Sequence, residues 1–110
     1  MLGFLAALSA AIAIGAGAFG AHGASSPQAA EWLRTGGTYQ LIHAVAAIAL
    51  MQAARMPAAL MLIGAAIFAG TLYAMAMGAP RWFGAITPIG GTLLIVAWLW
   101  TAWKYLGASR

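Results

Sequence analysis

Cysteine is absent from these 110 residues, and acid nearly so: Glu31 carries the single side-chain carboxylate. The first absence excludes disulfides and thiolate chemistry. The second removes the paired carboxylates on which much acid–base catalysis relies. Charge of either sign is scarce, 5% of the chain against 65% hydrophobic, where an ordinary soluble domain carries roughly 25% charged residues. Mean hydropathy is +0.94. No soluble surface can be built from this set, so the chain reads as a single integral membrane domain over residues 1–110, with the lipid bilayer as its first partner. The net charge of +4 comes from Arg34, Arg55, Arg81, Lys104 and Arg110. They are scattered rather than clustered, which argues against nucleic acid as a partner.

What is present is apolar runs, at residues 2–21, 39–54, 58–77 and 88–105. A hydrocarbon core about 30 Å thick takes about 20 helical residues. The runs are continuous and alanine-rich rather than alternating, which excludes barrel strands. The fold expected is all-α: an antiparallel bundle of four transmembrane helices. Ala16-Gly17-Ala18 has the small residues of a cleavage signal, but no Lys or Arg precedes the first run, which is therefore read as a span. With four spans, Arg55, Lys104 and Arg110 share one side and Arg34 and Arg81 the other. That bias places both termini in the cytoplasm of a plasma or inner membrane.

Between the first two runs, Ser25 or Ser26 can cap a helix, Pro27 suits its first turn, and Gly36-Gly37 can end it. Gln28, Glu31 and Arg34 fall on one face, so residues 27–35 are predicted to be a short interfacial amphipathic helix anchored by Trp32. Arg55-Met56-Pro57 is expected to be a tight turn. Trp98, Trp100, Trp103 and Tyr105 read as an aromatic belt. Small residues four apart mark close helix approach: Ala66, Gly70, Ala74 and Gly78 on the third helix, and Ala7, Ala11 and Gly15 or Ala13, Gly17 and Ala21 on the first. These stripes predict that helices one and three occupy the centre.

Polar groups in hydrocarbon are costly unless partnered, and here they gather at one face. His22, Tyr39, Gln40, His43, Thr71, Tyr73 and Thr87 fall where the first and third helices end and the second and fourth begin. Ser9, Gln52 and Thr101 fall in the opposite half. Tyr39, Gln40 and His43, three and four apart, point into one sector of a helix. Thr87 and Pro88 read as an N-cap followed by the first helical position. Gly90 and Gly91 leave backbone bare for a packing partner or a ligand.

Those residues carry a resemblance. Gly17-Ala18-Phe19-Gly20-Ala21-His22-Gly23, the stretch from Thr35-Gly36-Gly37-Thr38 through Tyr39-Gln40-Leu41-Ile42-His43-Ala44, Phe68-Ala69-Gly70-Thr71-Leu72-Tyr73 and Gly84-Ala85-Ile86-Thr87-Pro88-Ile89-Gly90-Gly91 run in order along nearly the whole chain, with Trp98 after them. Together they resemble the small bacterial inner-membrane proteins of domain-of-unknown-function family four hundred and twenty-three, whose animal relatives form the transmembrane protein two-five-six group. Ala69 and Thr71 depart from that pattern, standing where serines flank the glycine. The resemblance implies a four-helix membrane protein and brings no activity or catalytic residue with it.

The cluster of His22, Tyr39, Gln40, His43, Tyr73, Thr87, Gly90 and Gly91 admits three readings. The favoured one is a hydrogen-bonded clamp that fixes helix register in a structural or accessory protein. The alternative is a binding module or oligomeric conduit for a small polar molecule, ion or lipid headgroup. A membrane enzyme with His43 as base comes last, since no nucleophile–base motif or cofactor fingerprint accompanies it. A closed zinc site usually takes four ligands, and two histidines in no zinc spacing do not supply them; Met51, Met56 and Met61 do not hold one helix face for copper. No metal or cofactor is therefore expected. A second copy, or another membrane protein, is the partner the small-residue faces suggest.

Overall fold

The computed structural model describes residues 1–108. Its helices are α1 (Leu2–His22), α2 (Pro27–Leu50), α3 (Arg55–Ala76) and α4 (Thr87–Ala108), with a 3-10 turn at Arg81–Ala85 before α4. No strand occurs among the described residues. α1, α3 and the segment Arg81–Gly107 are long and apolar enough to cross a membrane.

Local signals account for several helix ends. Ser26 caps α2, its Oγ accepting the Ala29 N–H at 3.0 Å, with Pro27 at the first position, where its missing N–H costs nothing. α3 stops at Gly78, whose φ of 109° suits glycine and few other residues. There the Gly78 and Ala79 N–H groups fold back onto the carbonyls of Met75 and Ala74.

Two expected boundaries are corrected. Residues 27–35 are not a separate interfacial helix; they are the first turns of α2, which runs unbroken through Gly36-Gly37 to Leu50. Those glycines are packing sites. A Cβ at Gly36 would sit 2.7 Å from the Tyr73 ring, and one at Gly37 would sit 3.0 Å from the Ala13 carbonyl oxygen. Bare backbone therefore lets α2 lie close to both α3 and α1, and packing outweighs the glycines' tendency to end a helix. The turn expected at Arg55-Met56-Pro57 falls earlier, over Met51, Gln52 and Ala53, and α3 already begins at Arg55. Pro57 lies in that first turn, where proline is tolerated.

The centre is α2 and α3, not α1 and α3. α2 packs along both α1 and α3, α3 packs along α4, and the α1 and α4 backbones do not meet. Ala6, Ala47 and Ala58 close one end of the bundle; Ala29, Leu33 and Ala76 close the other. α1 buries only Ala6 and Ala13. Its stripe Ala7, Ala11 and Gly15 is exposed, as are Ala66 and Gly70 on α3 and Gly78 just beyond it. The tightest crossing joins α3 to α4, where a Cβ on Gly90 would lie 2.4 Å from the Phe68 nitrogen. Glu31 and Arg34 pair at 3.5 Å in the open, and the Arg81 guanidinium stands 5.9 Å from the Trp32 ring.

Candidate functional site

Gln40, His43, Thr71 and Thr101 are the buried polar side chains among the described residues. Gln40 lies mid-way along α2, and both ends of its amide are engaged. Nε2 donates to Ser9 Oγ of α1 at 2.9 Å, and Oε1 accepts the Tyr73 hydroxyl of α3 at 2.6 Å. One side chain thus ties three helices together.

His43, on the same sector of α2, turns toward α4. Its Nε2 accepts the Trp98 indole N–H at 3.0 Å, and its Nδ1 lies 2.6 Å from the Tyr39 carbonyl oxygen. An indole nitrogen only donates, so Nε2 presents its lone pair. Nδ1 then carries the proton and donates it to the carbonyl. The geometry therefore selects the neutral Nδ1–H tautomer, and it leaves His43 no nitrogen with which to take a proton from a substrate. The Tyr39 ring stacks beside the imidazole at 6.3 Å and tilts onto Phe68 at 4.9 Å, while Trp98 meets the imidazole edge-on at 6.0 Å.

A third link joins α3 to α4. Thr71 Oγ1 stands 2.6 Å from Thr87 Oγ1 and 3.0 Å from the carbonyls of Ile67 and Phe68. Either hydroxyl can be the donor of that pair, and Thr87 Oγ1 also reaches the Phe83 carbonyl oxygen at 3.4 Å. Thr87 is not a side-chain N-cap: α4 already begins at Thr87, whose hydroxyl bonds Thr71 and Phe83 instead. Thr101 donates to the Ala97 carbonyl within α4. No buried side-chain polar atom among the described residues lacks a partner.

The structure thus joins Gln40 to Tyr73, gathers Tyr39 around His43, and brings Thr87 onto Thr71. It leaves out His22, which is exposed in the last turn of α1 and makes none of these bonds. Gly90 and Gly91 part company: Gly90 is pressed onto Phe68, and Gly91 borders a cleft. Ser9 and Trp98 were missed. Ser9 of α1 accepts from Gln40, and Trp98 of α4 donates to His43. Because α2 begins at Pro27 rather than near Tyr39, Gln40 and His43 lie at mid-bundle rather than at the loop face. The signals were there: Ser9 is the lone hydroxyl inside the first apolar run, and Trp98 lies more than a turn deeper than Trp103 and Tyr105. Among the described residues no three His, Asp or Glu side chains converge.

Two clefts flank the network. One, of about 390 Å³, lies between α1 and α3, with Ser9 and Gln40 in its wall. The other, of about 600 Å³, separates α2 from α4 and is lined by Tyr39, His43, Phe68, Gly91 and Trp98.

Long apolar helices braced by buried interhelical hydrogen bonds define a multi-pass α-helical membrane protein. Residues 16–91 match the family described as "Protein of unknown function (DUF423)", and the chain belongs to that family. It is 39% identical over 105 residues to a UPF0382 membrane protein of Haemophilus influenzae, covering 86% of this chain and 85% of that one. The UPF0382 membrane protein SSP2132 of Staphylococcus saprophyticus is also 39% identical, over 86% of this chain and 88% of its own. The UPF0382 inner membrane protein YgdD of Escherichia coli K12 is 32% identical, over 96% and 86% respectively. No solved structure matches the chain.

Proposed function

We propose that this chain is a structural or accessory component of the inner membrane rather than an enzyme. It is a four-span antiparallel bundle whose polar spine holds the helices in one register. The carrying observation is that the buried polar atoms are spent on one another, with partners drawn from all four helices. A second reading, capture of a small polar molecule, ion or headgroup at the cluster, is weaker for the same reason: little is left there to recognise one. α2 counts as the remaining span because its 24 residues reach about 36 Å at 1.5 Å each, and it packs along α1 from Leu33 beside Gly20 to Ala47 in the cluster with Ala6. Both termini lie in the cytoplasm, on the side of Arg55 and Lys104. The exposed small-residue faces of α1 and α3 suit contact with a second copy or another membrane protein.

A double-mutant cycle on Gln40→Leu and Tyr73→Phe tests this. Interhelical hydrogen bonds in membranes contribute on average about 0.6 kcal/mol, up to about 1.7, and each single variant also strands its partner. Both singles should destabilise the bundle in a denaturing-detergent titration, and the double should cost less than their sum. Unchanged stability in all three would count against a register clamp.

A further inference from the structure

We infer that α2 is a conditional span. It stays across the membrane because α1, α3 and α4 partner it, and without those partners the chain turns α1 round and leaves residues 23–54 on the cytoplasmic side. This rests on the four-span reading above. α1, α3 and the segment Arg81–Gly107 are long and apolar enough to cross by themselves, whereas α2, the longest described helix, is not among them. Its composition gives the reason. Glu31 and Arg34 stand in its second turn, level with the end of α1, where Gly20 lies against Leu33. Gly36 and Gly37 weaken it as a helix, and Gln40 and His43 follow at mid-span. An amide or an imidazole in hydrocarbon is costly unless it is partnered.

α2 supplies only one of the partners it needs, the Tyr39 carbonyl that faces His43 Nδ1. Gln40 Nε2 depends on Ser9 of α1, Gln40 Oε1 on Tyr73 of α3, and His43 Nε2 on Trp98 of α4. Each of the three apolar helices thus lends α2 one hydrogen bond. By contrast, Thr92 and Thr101 are satisfied by carbonyls of their own helix, α4.

Charge and packing decide which helix gives way. With α2 out of the membrane, either α1 or the α3–α4 pair must run the other way. Reversing α3 and α4 carries Arg55 and Lys104 to the outer side. Reversing α1 keeps both inside and brings Arg34 in with them, with Arg81 still outside; the positive-inside bias favours that outcome. α1 also has least to lose. It buries only Ala6 and Ala13 and packs chiefly on α2. α3 and α4 keep their own crossing, at Gly90 against Phe68 and at Thr71 against Thr87. The hydrogen bonds to Gln40 and His43 therefore hold the native topology against the pull of Arg34.

Single-cysteine labelling of the full chain in its membrane tests this. In the parent, Ser25→Cys and Ala79→Cys should react from the outer side and Gln52→Cys from the cytoplasm. Ser9→Ala, Tyr73→Phe and Trp98→Phe together should raise the ratio of cytoplasmic to outer labelling at Ser25→Cys about twentyfold, a little under threefold for each average hydrogen bond in a membrane. Gln52→Cys and Ala79→Cys should keep their sides. Adding Arg34→Ala should lower the inverted fraction. Adding Gln40→Leu and His43→Leu instead, so that α2 needs no partners, should return Ser25→Cys to the outer side. Should the triple variant not accumulate, Ser9→Ala alone gives the same reading at a little under threefold. An unchanged ratio, a switch of Ala79→Cys in place of Ser25→Cys, or no return with the apolar α2 would each overturn the inference. Failure of the four-span reading shows separately, as a parent chain that labels Ser25→Cys and Gln52→Cys from the same side.

Discussion

Gly90 and Gly91 are neighbours in the same helical turn, yet replacing each with alanine should have opposite effects. A Cβ on Gly90 would lie 2.4 Å from the Phe68 nitrogen, 2.7 Å from the Gly64 carbonyl oxygen and 2.9 Å from the Phe68 Cα. All three are backbone atoms of α3, so no rotamer change relieves the overlap. α4 must retreat from α3, and the 2.6 Å Thr71–Thr87 contact beside the crossing loosens with it. Overpacking in a well-packed core costs about 1–3 kcal/mol, and a rigid backbone obstacle argues for the upper part of that range. A Cβ on Gly91 finds only the Phe68 ring edge at 3.7 and 3.9 Å. That is ordinary contact, so Gly91→Ala should keep the helix-propensity gain of up to about 1 kcal/mol. Titration of a denaturing detergent into micelles of the folded protein, followed by circular dichroism, measures both. Gly90→Ala should shift the midpoint down and Gly91→Ala should hold or raise it. Equal effects, or the reverse order, would falsify the α3–α4 crossing described above.

Three further outcomes follow from the same geometry. Trp98→Phe keeps the ring but removes the indole donor, stranding His43 Nε2; a loss of about 1 kcal/mol is expected, and an unchanged midpoint would remove the α2–α4 link. Nitrogen-15 spectra of labelled His43 should show the proton on Nδ1, and a proton on Nε2 would contradict the Trp98 contact. Because the chain lacks cysteine, single cysteines at Ser25, Gln52 and Ala79 report topology directly. Labelling of Gln52→Cys from the cytoplasmic side alone, with Ser25→Cys and Ala79→Cys reached only from the other, is the expected pattern; any other counts against four spans with cytoplasmic termini.

Hydropathy is a local property, so the helical class, the ends of α1 and the Ser26 cap were legible from neighbouring residues alone. The pairing of Gln40 with a hydroxyl partner was partly legible too, since an amide inside an apolar run demands one. Composition and the continuity of the apolar runs determined that this is a membrane protein built from long helices, because only helices and closed barrels satisfy every backbone group in lipid and barrel strands would alternate. Tertiary structure alone decided which small residues pack. Alanine and glycine are so frequent that spacing does not separate a packed stripe from a lipid-facing one, and Gly36-Gly37 reads as a stop until Tyr73 and Ala13 are seen pressed against it. It also decided that Ser9 and Trp98 complete the network. Their roles depend on how far each helix is rotated and on how deep a long side chain reaches, and neither quantity is encoded within a single helix.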